Sequence, residues 1–127
     1  MYDIIIIGAG TAGISADKEA IKYTSNLLII NKGSWDTTCV RVGCMPRKVL
    51  ISTANRMHDI QHADEVALNV QSEINTDQVM HHVQNLRDRF ARATLTDVES
   101  WEEKHKIDGE AKFINANTVD VNGQHYP

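Results

Sequence analysis

The sequence lacks the features that mark membrane, secreted or nucleic-acid-binding proteins. No stretch is long and apolar enough to span a bilayer. The opening residues, MYDIIIIG, have neither the basic segment nor the cleavage site of a signal peptide. The formal charge of −4 argues against a general role on nucleic acid or on a membrane surface. We therefore expect a cytoplasmic protein with no nucleic-acid or membrane partner.

Cysteine is scarce, with only two in 127 residues, and they lie five positions apart at Cys39 and Cys44. Structural disulfides are uncommon in the cytosol, so a close pair there is more typical of catalysis or of metal binding. The remaining composition, 42% hydrophobic and 24% charged, is ordinary for a domain with a modest core. There are no repeats and no low-complexity segments.

The first 31 residues follow the pattern of a β-α-β unit. Asp3 to Ile7 is a run rich in β-branched residues that predicts a fully buried strand of a parallel sheet. Residues 11–23 have a helical pattern, and Leu27 to Ile30 is a second short apolar strand. The sequence therefore predicts an α/β, Rossmann-like fold with a parallel sheet.

The turn between the first strand and the helix reads GAGTAG, residues 8–13, which is a G-x-G-x-x-G motif. In such a motif the first glycine permits a tight turn, the second lets the backbone approach a pyrophosphate, and the third allows close packing of helix on strand. The alternative is a strand–helix turn with a structural role only. The acidic residue expected at the end of the second strand is replaced by Asn31.

Beyond the first unit the pattern changes from helical to extended. Residues 32–38 predict a loop, a helix is expected from near Gly43 to about His62, and residues 64–74 predict a loop. Thr76 is a predicted N-cap of a long amphipathic helix. Strands follow over residues 112–115 and 118–121, and Asn122-Gly123 predicts a hairpin turn. The next strand has barely begun at Pro127, so we expect a truncated sequence. The apolar face of the long helix consists of Val79, Val83, Leu86, Phe90 and Ala93.

The two cysteines cannot form a disulfide within one regular helix. Their Cα atoms would lie roughly 7.5 Å apart along the axis, whereas a disulfide requires less than about 7 Å. Gly43 supplies an irregular backbone, and Pro46 fits the first turn of a helix that begins close to Cys44. The helix dipole should then lower the pKa of the Cys44 thiol. The pattern favours a reactive dithiol.

Two other interpretations of the cysteines stay open. They could be unpaired buried residues, or they could belong to a zinc site. The second would need further soft ligands, and His58 and His62 have a suitable helical spacing. We interpret these histidines more simply as residues of a solvated helix face.

GAGTAG at 8–13, followed by TTCVRVGCMPRK at 37–48, resembles the flavin-dependent pyridine nucleotide–disulfide oxidoreductases. Within that family the similarity is greatest to the dihydrolipoamide dehydrogenase branch. It extends along the whole chain, including GEAKF at 109–113, but covers only the N-terminal part of the FAD-binding domain of such an enzyme. The resemblance therefore implies that residues 1–127 form the N-terminal part of the FAD-binding domain, and that the NAD-binding and dimerisation domains lie outside these residues.

The resemblance also implies roles for individual residues. Cys39 would exchange with the substrate disulfide, and Cys44 would pass electrons to the flavin, with Lys48 near the flavin ring. Asn31 and Lys32 would lie at the adenosine ribose, where Asn31→Glu is expected to tighten FAD binding. Other residues would contact the remaining parts of FAD. These are Gly8, Gly10, Thr11, Ala12 and Gly13 at the pyrophosphate, Thr38 near the phosphates, and the backbone of Ala111 at the adenine.

The implied reaction passes electrons between NAD(H), FAD and a dithiol or disulfide substrate such as lipoamide, in an intact protein that would be a homodimer. This stretch alone is expected to be inactive and to hold FAD weakly. A glutathione or mercuric reductase relative, and a dithiol redox or nucleotide-binding module without flavin, remain as alternatives. The sequence departs from the family pattern at Asn31, at Trp35-Asp36-Thr37, where glycines are usual, and at Arg47, where serine is usual.

Overall fold

The computed structural model describes residues 1–127, which form six strands and four α-helices. The chain divides into two compact units, one of Met1–Thr38 with Arg92–Pro127 and one of Cys39–Ala91. Two 3₁₀ turns cover Ala63–Val66 and Glu103–His105. The strands are β1 (Ile4–Ile7), β2 (Leu27–Asn31), β3 (Lys106–Asp108), β4 (Ala111–Asn115), β5 (Thr118–Val121) and β6 (Gln124–Tyr126), and the helices are α1 (Thr11–Ala20), α2 (Thr38–Arg41), α3 (Cys44–Gln61) and α4 (Thr76–Glu99).

The predicted β-α-β unit is confirmed, and it forms part of a three-stranded parallel sheet in the order β1-β2-β3. The register pairs Ile4 with Leu27 and Ile30 with Ile107. Strands β4, β5 and β6 form a second, antiparallel sheet. The fold is therefore the mixed α/β, Rossmann-like arrangement that the sequence predicts.

Strand β2 is the centre of the core in the unit that contains both sheets. Its residues alternate between two apolar clusters, because successive side chains of a strand point to opposite faces. Ile29 packs with Ala9, Ile14 and Val98 on one face. Leu28 and Ile30 pack on the other face with Val119 and Val121, two residues of β5. The parallel sheet thus has an apolar cluster on each face, one with residues of α1 and α4 and one with residues of β5.

The prediction that residues 3–7 form a fully buried strand is wrong. Ile4 is 36% exposed and Ile7 is 48% exposed, whereas Leu28, Ile29 and Ile30 are completely buried. The reason is position in the sheet: β1 pairs only with β2 and lies at an edge. An unbroken apolar run indicates a strand, but it does not show which neighbours cover that strand.

Several boundaries differ from the predicted ones. The predicted loop at 32–38 ends in α2, which begins at Thr38, and α1 ends at Ala20. Helix α4 is capped by Asn75 rather than Thr76, because the Asn75 side chain accepts a 3.0 Å hydrogen bond from the Gln78 N–H. The hairpin turn is confirmed, with φ of 55° at Asn122 and 82° at Gly123. None of the helices combines the length and apolar character needed to cross a membrane.

A buried hydrogen bond between side chains joins α1 to the second 3₁₀ turn. The Nε2 of His105 lies 2.7 Å from Oδ1 of Asp17, and both side chains are almost fully buried. The His105 ring also contacts the Trp101 ring edge-on, with 5.7 Å between centroids. Because the carboxylate of Asp17 has little access to water, His105 is the group that compensates its burial.

We expect His105→Leu to lower the free energy of unfolding by about 3–5 kcal/mol, because it leaves a buried carboxylate without its partner. Lys18→Met is the control. It breaks the exposed ion pair with Asp97 and should cost less than about 1 kcal/mol. Urea denaturation measures both effects, and adding Asp17→Leu to His105→Leu should recover part of the loss. Equal losses for His105→Leu and Lys18→Met would contradict the assignment.

Candidate functional site

The residues that the sequence assigns to a site fall into two groups, one in each compact unit. The glycine-rich turn, Asn31, Lys32, Thr38 and Ala111 belong to the unit with the sheets. Cys39, Cys44 and Lys48 belong to the helical unit.

The glycine-rich turn leaves the N-terminus of α1 accessible. Gly8 follows β1 with a φ of 98°, which favours glycine, and its N–H donates a 2.7 Å hydrogen bond to the Ile30 carbonyl. Gly10 is the N-cap of α1, and no side chain caps this helix end. Gly10, Thr11 and Ala12 are exposed. The unpaired N–H groups of a helix start are a favourable place for an anionic phosphate.

Gly10 and Gly13 meet different surroundings. A Cβ added at Gly13 would overlap the carbonyl oxygen of Gly8, so the helix and the turn approach too closely for any side chain. A Cβ added at Gly10 would meet nothing within 4 Å. Gly13 is therefore required for packing, while the space at Gly10 is open.

Asn31 and Lys32 follow at the carboxyl end of β2, beside the glycine-rich turn. The side chain of Asn31 accepts a 3.0 Å hydrogen bond from the Ala9 N–H. The Nζ of Lys32 forms an exposed ion pair of 2.8 Å with Glu110. The hydrogen bond that Lys32 donates to Glu110, together with the positive charge of Lys32, holds the pKa of the Glu110 carboxyl below its ordinary value.

Glu110 was not among the residues that the sequence assigned to the site. Only its position next to Ala111 could have indicated it. Ala111 begins β4, pairs with Val121 and packs against the apolar cluster that covers one face of the sheet. The contact between Lys32 and Glu110 thus connects the end of β2 with the start of β4.

Thr37 belongs to the stretch Trp35-Asp36-Thr37, where the resemblance led us to expect glycine, and its backbone conformation is unusual for threonine. Its φ is 61°, in the left-handed region that a β-branched residue rarely adopts. Thr37 is buried, and the next residue, Thr38, is exposed and begins α2. The backbone at Thr37 therefore has a conformation that favours glycine.

The two cysteines lie on either side of a break between helices. Helix α2 ends at Arg41 and α3 begins at Cys44. Between them, Gly43 has φ −121° and ψ −109°, which is neither helical nor extended. Pro46 lies in the first turn of α3, as predicted. The irregular connection brings the Cys39 and Cys44 side chains into hydrogen-bond contact, with both residues present as thiols and Cys44 exposed.

The predicted lowering of the Cys44 pKa is wrong. The hydrogen bond with the Cys39 side chain and the charge of Cys39 raise the pKa of the Cys44 thiol, and Lys48 opposes them with a smaller effect. The physical reason is that two thiols in contact compete for ionisation: once one is a thiolate, a second negative charge beside it is disfavoured. The helix dipole, on which the prediction was based, acts on Cys44 together with this neighbouring thiol.

Lys48 lies on the face of α3 that borders a cavity of about 710 Å³ in the helical unit. Met45 and Val49 line the same cavity, together with residues of α4 such as Leu86. At the C-terminal end of α3, the ring of His58 stacks on the ring of the C-cap residue His62, with 4.1 Å between centroids. The structure contains no cluster of three or more His, Cys, Asp or Glu side chains that could hold a metal ion.

Comparison with known proteins gives a consistent family assignment. The sequence pattern of the pyridine nucleotide-disulphide oxidoreductases matches residues 2–127. A dihydrolipoyl dehydrogenase from Mycoplasma genitalium is 32% identical over 127 residues, covering 98% of this chain and 28% of that protein. A mercuric reductase from Lysinibacillus sphaericus is 31% identical over 123 residues, covering 96% of this chain and 22% of that protein.

Solved structures show the same fold. The HOCl-induced flavoprotein disulfide reductase RclA from Escherichia coli matches with a TM-score of 0.67 and 22% identity, over 98% of this chain and 26% of that chain. This chain therefore spans roughly a quarter of the length of each of these relatives.

We expect Gly13→Ala and Gly10→Ala to differ in their effect on folding. Gly13→Ala forces the added methyl group against the Gly8 carbonyl and should destabilise the chain by at least about 2 kcal/mol. Gly10→Ala meets no neighbour and has a φ of −73°, so it should change the free energy of unfolding by less than about 1 kcal/mol. Urea denaturation of both variants is the measurement, and a Gly10→Ala loss as large as that of Gly13→Ala would contradict the assigned roles.

We expect Cys39→Ala to lower the pKa of Cys44 towards the value of an ordinary thiol, because it removes both the hydrogen bond and the neighbouring charge. The rate of Cys44 alkylation by iodoacetamide, followed against pH, reports this pKa. Lys48→Met, in the Cys39→Ala background, should shift the midpoint upward again, since it removes a positive charge that favours the thiolate. A midpoint that stays unchanged on Cys39→Ala would show that the two thiols do not interact.

Proposed function

Because the chain belongs to the pyridine nucleotide-disulphide oxidoreductase family, we propose that it is the N-terminal part of the FAD-binding domain of a dithiol–disulfide oxidoreductase. The proposed limits of this part are residues 1 and 127. The observation that carries the proposal is the contact between the Cys39 and Cys44 thiols across the break before α3. Two thiols in contact can close a disulfide with little rearrangement.

The proposed exchange reaction uses both thiols in turn. The thiolate of Cys39 attacks one sulfur of a substrate disulfide, so that a mixed disulfide forms and the other substrate sulfur leaves as a thiolate. Cys44, as its thiolate, then attacks the Cys39 sulfur and releases the second substrate sulfur. The substrate gains two electrons and, from the thiols and solvent, two protons, while the pair Cys39–Cys44 becomes a disulfide. For a dithiol substrate the same steps run in reverse.

The raised pKa of Cys44 suits this order. Its proton stays in place while Cys39 reacts, because the Cys39 thiolate disfavours a second charge beside it. Once Cys39 is in the mixed disulfide and no longer charged, that obstacle to ionising Cys44 is gone. Lys48 then favours the Cys44 thiolate as the second nucleophile.

The residues around the glycine-rich turn fit the pyrophosphate of FAD. The exposed, uncapped N–H groups at Gly10, Thr11 and Ala12 would hold it, and no side chain of the turn obstructs its approach to Gly10. We further assign Gly8 and Gly13 to the shape of this turn, Thr38 to the phosphates and Ala111 to the adenine. When bound, FAD supplies a two-electron carrier between NAD(H) and the dithiol.

We propose a lipoyl dithiol as the substrate, with a cytoplasmic homodimer as the intact protein, from the similarity to dihydrolipoyl dehydrogenases. The mercuric reductases give a second candidate, because two of them are 31% and 32% identical to this chain. A thiolate pair is also a suitable ligand for a soft metal ion. The two candidates differ in the electron acceptor and share the dithiol.

The exchange step can be tested on the 127-residue chain with lipoamide and with glutathione disulfide as an acyclic probe. We expect the reduced chain to react with both and to end as an intrachain Cys39–Cys44 disulfide without an adduct. With glutathione disulfide, Cys44→Ser should instead keep a mixed disulfide on Cys39, because the resolving thiol is absent. Mass spectrometry after alkylation distinguishes these products.

The matched control is Cys39→Ser, which should likewise keep a single glutathione adduct, on Cys44, because no second thiol is present to release it. A wild-type chain that ends with one glutathione on each cysteine would exclude an exchange-competent pair. Comparing lipoamide with Hg²⁺ as oxidised partner of the intact flavoprotein then decides between the two candidate substrates.

A further inference from the structure

Asn31 joins the two loops that leave the carboxyl ends of β1 and β2. Its Oδ1 accepts a 3.0 Å hydrogen bond from the N–H of Ala9, in the middle of the glycine-rich turn. Its Nδ2 donates to the carbonyl oxygens of Gly33 and Ser34, both at 3.2 Å. Both donor hydrogens of the carboxamide and one acceptor site are therefore used within the chain.

This network requires an amide. A backbone N–H can only donate and a backbone carbonyl can only accept, so the partners themselves fix which end of the Asn31 side chain is oxygen. A carboxylate at position 31 could accept from Ala9, but its second oxygen would face the two carbonyl oxygens of Gly33 and Ser34. The asparagine is thus matched to the loops and is more than a neutral replacement for an acid.

The bond between Asn31 and Ala9 is also buried. Asn31 is 9% exposed and Ala9 is 2% exposed, and Ala9 packs in the apolar cluster with Ile14 and Ile29. Moving Oδ1 towards a ligand would leave the Ala9 N–H without a partner inside the core, which is unfavourable. The bond fixes the peptide unit between Gly8 and Ala9. This unit follows the φ of 98° at Gly8 and precedes Gly10, whose surroundings are open.

We propose that Asn31 is a positioning residue, which holds the glycine-rich turn in the shape that receives the nucleotide phosphates and does not itself bind the ribose. This inference rests on the proposed nucleotide site. It replaces the expectation that Asn31→Glu tightens FAD binding, because that expectation assumed a side chain free to reach a ribose hydroxyl. Recognition of the nucleotide by this chain then depends on its phosphates and on groups other than residue 31.

The first test follows the Ala9 amide in the 127-residue chain by hydrogen exchange. We expect Asn31→Ala to accelerate exchange at Ala9 by about five- to tenfold beyond any global change, because it removes the acceptor. Asn31→Asp keeps that acceptor and should leave Ala9 slow. The control is Asn26→Ala at the opposite end of β2, where the side chain donates only to the Met1 carbonyl, and it should not change Ala9. Unchanged exchange at Ala9 in Asn31→Ala overturns the proposal.

The second test measures by NMR titration how tightly the wild-type chain and Asn31→Ala bind ADP and 2′-deoxy-ADP. The same comparison is then made with 3′-deoxy-ADP. Asn31→Ala should weaken all three nucleotides by the same factor, about five- to tenfold, because the turn that receives the phosphates is loosened. If Asn31 binds a ribose hydroxyl, the variant loses affinity only for the nucleotides that carry that hydroxyl, and the difference between ADP and the deoxy nucleotide that lacks it disappears. That result overturns the proposal.

The two tests separate this inference from the proposed function. A wild-type chain that binds none of the nucleotides contradicts the nucleotide site, while exchange at Ala9 still decides whether Asn31 holds the turn. Should Asn31→Ala fail to fold, Asn31→Leu takes its place in both tests, because its side chain has a similar branched shape but no acceptor for the Ala9 N–H. The same acceleration of exchange at Ala9 and the same equal weakening of the three nucleotides are then expected.

Discussion

The burial of β2 on both faces is the constraint on which the sheet-containing unit depends. Leu28, Ile29 and Ile30 have no accessible surface, and their side chains alternate between the two apolar clusters. Fully burying one such side chain stabilises the fold by roughly 1.5–3 kcal/mol. Both clusters include residues of β2, so a change of its register by one residue would exchange the two faces and disrupt both.

The glycine-rich turn takes its position from this central strand. The Gly8 N–H binds the carbonyl of Ile30, and the Ala9 N–H binds the side chain of Asn31, so consecutive residues of the turn are attached to consecutive residues of β2. The N–H of Gly109 donates to the carbonyl of Asn31 and links the end of β3 to the same point. The carboxyl ends of parallel strands thus share one network, which is where ligands of open α/β sheets bind.

The dithiol depends on a different constraint, the interruption of helix between Arg41 and Cys44. A continuous helix would separate the two sulfurs, whereas the backbone at Gly43 turns them towards each other. The same proximity that permits a disulfide also makes the two ionisations interdependent, and it raises the pKa of Cys44 against the effect of Lys48. The proximity of the two thiols therefore accounts for the raised pKa of Cys44 and would also permit a disulfide.

The sequence by itself determined the features that depend on near neighbours in the chain. The apolar runs of β1 and β2, the G-x-G-x-x-G turn, the start of α3 at Cys44 beside Pro46 and the Asn122-Gly123 hairpin follow from local sterics and side-chain pattern. Motif resemblance added the family and its candidate residues.

Only the tertiary structure decided the features that depend on contacts between residues distant in the sequence. Three contacts join residues that are far apart in sequence: the pairing of β2 with β3, the buried contact of Asp17 with His105, and the hydrogen bond between Asn31 and Ala9. The position of β1 at the edge of the sheet likewise depends on how distant strands pair. Exposure, hydrogen-bond partners and thiol pKa values depend on which groups meet in space, and a pattern read along the chain does not contain that information.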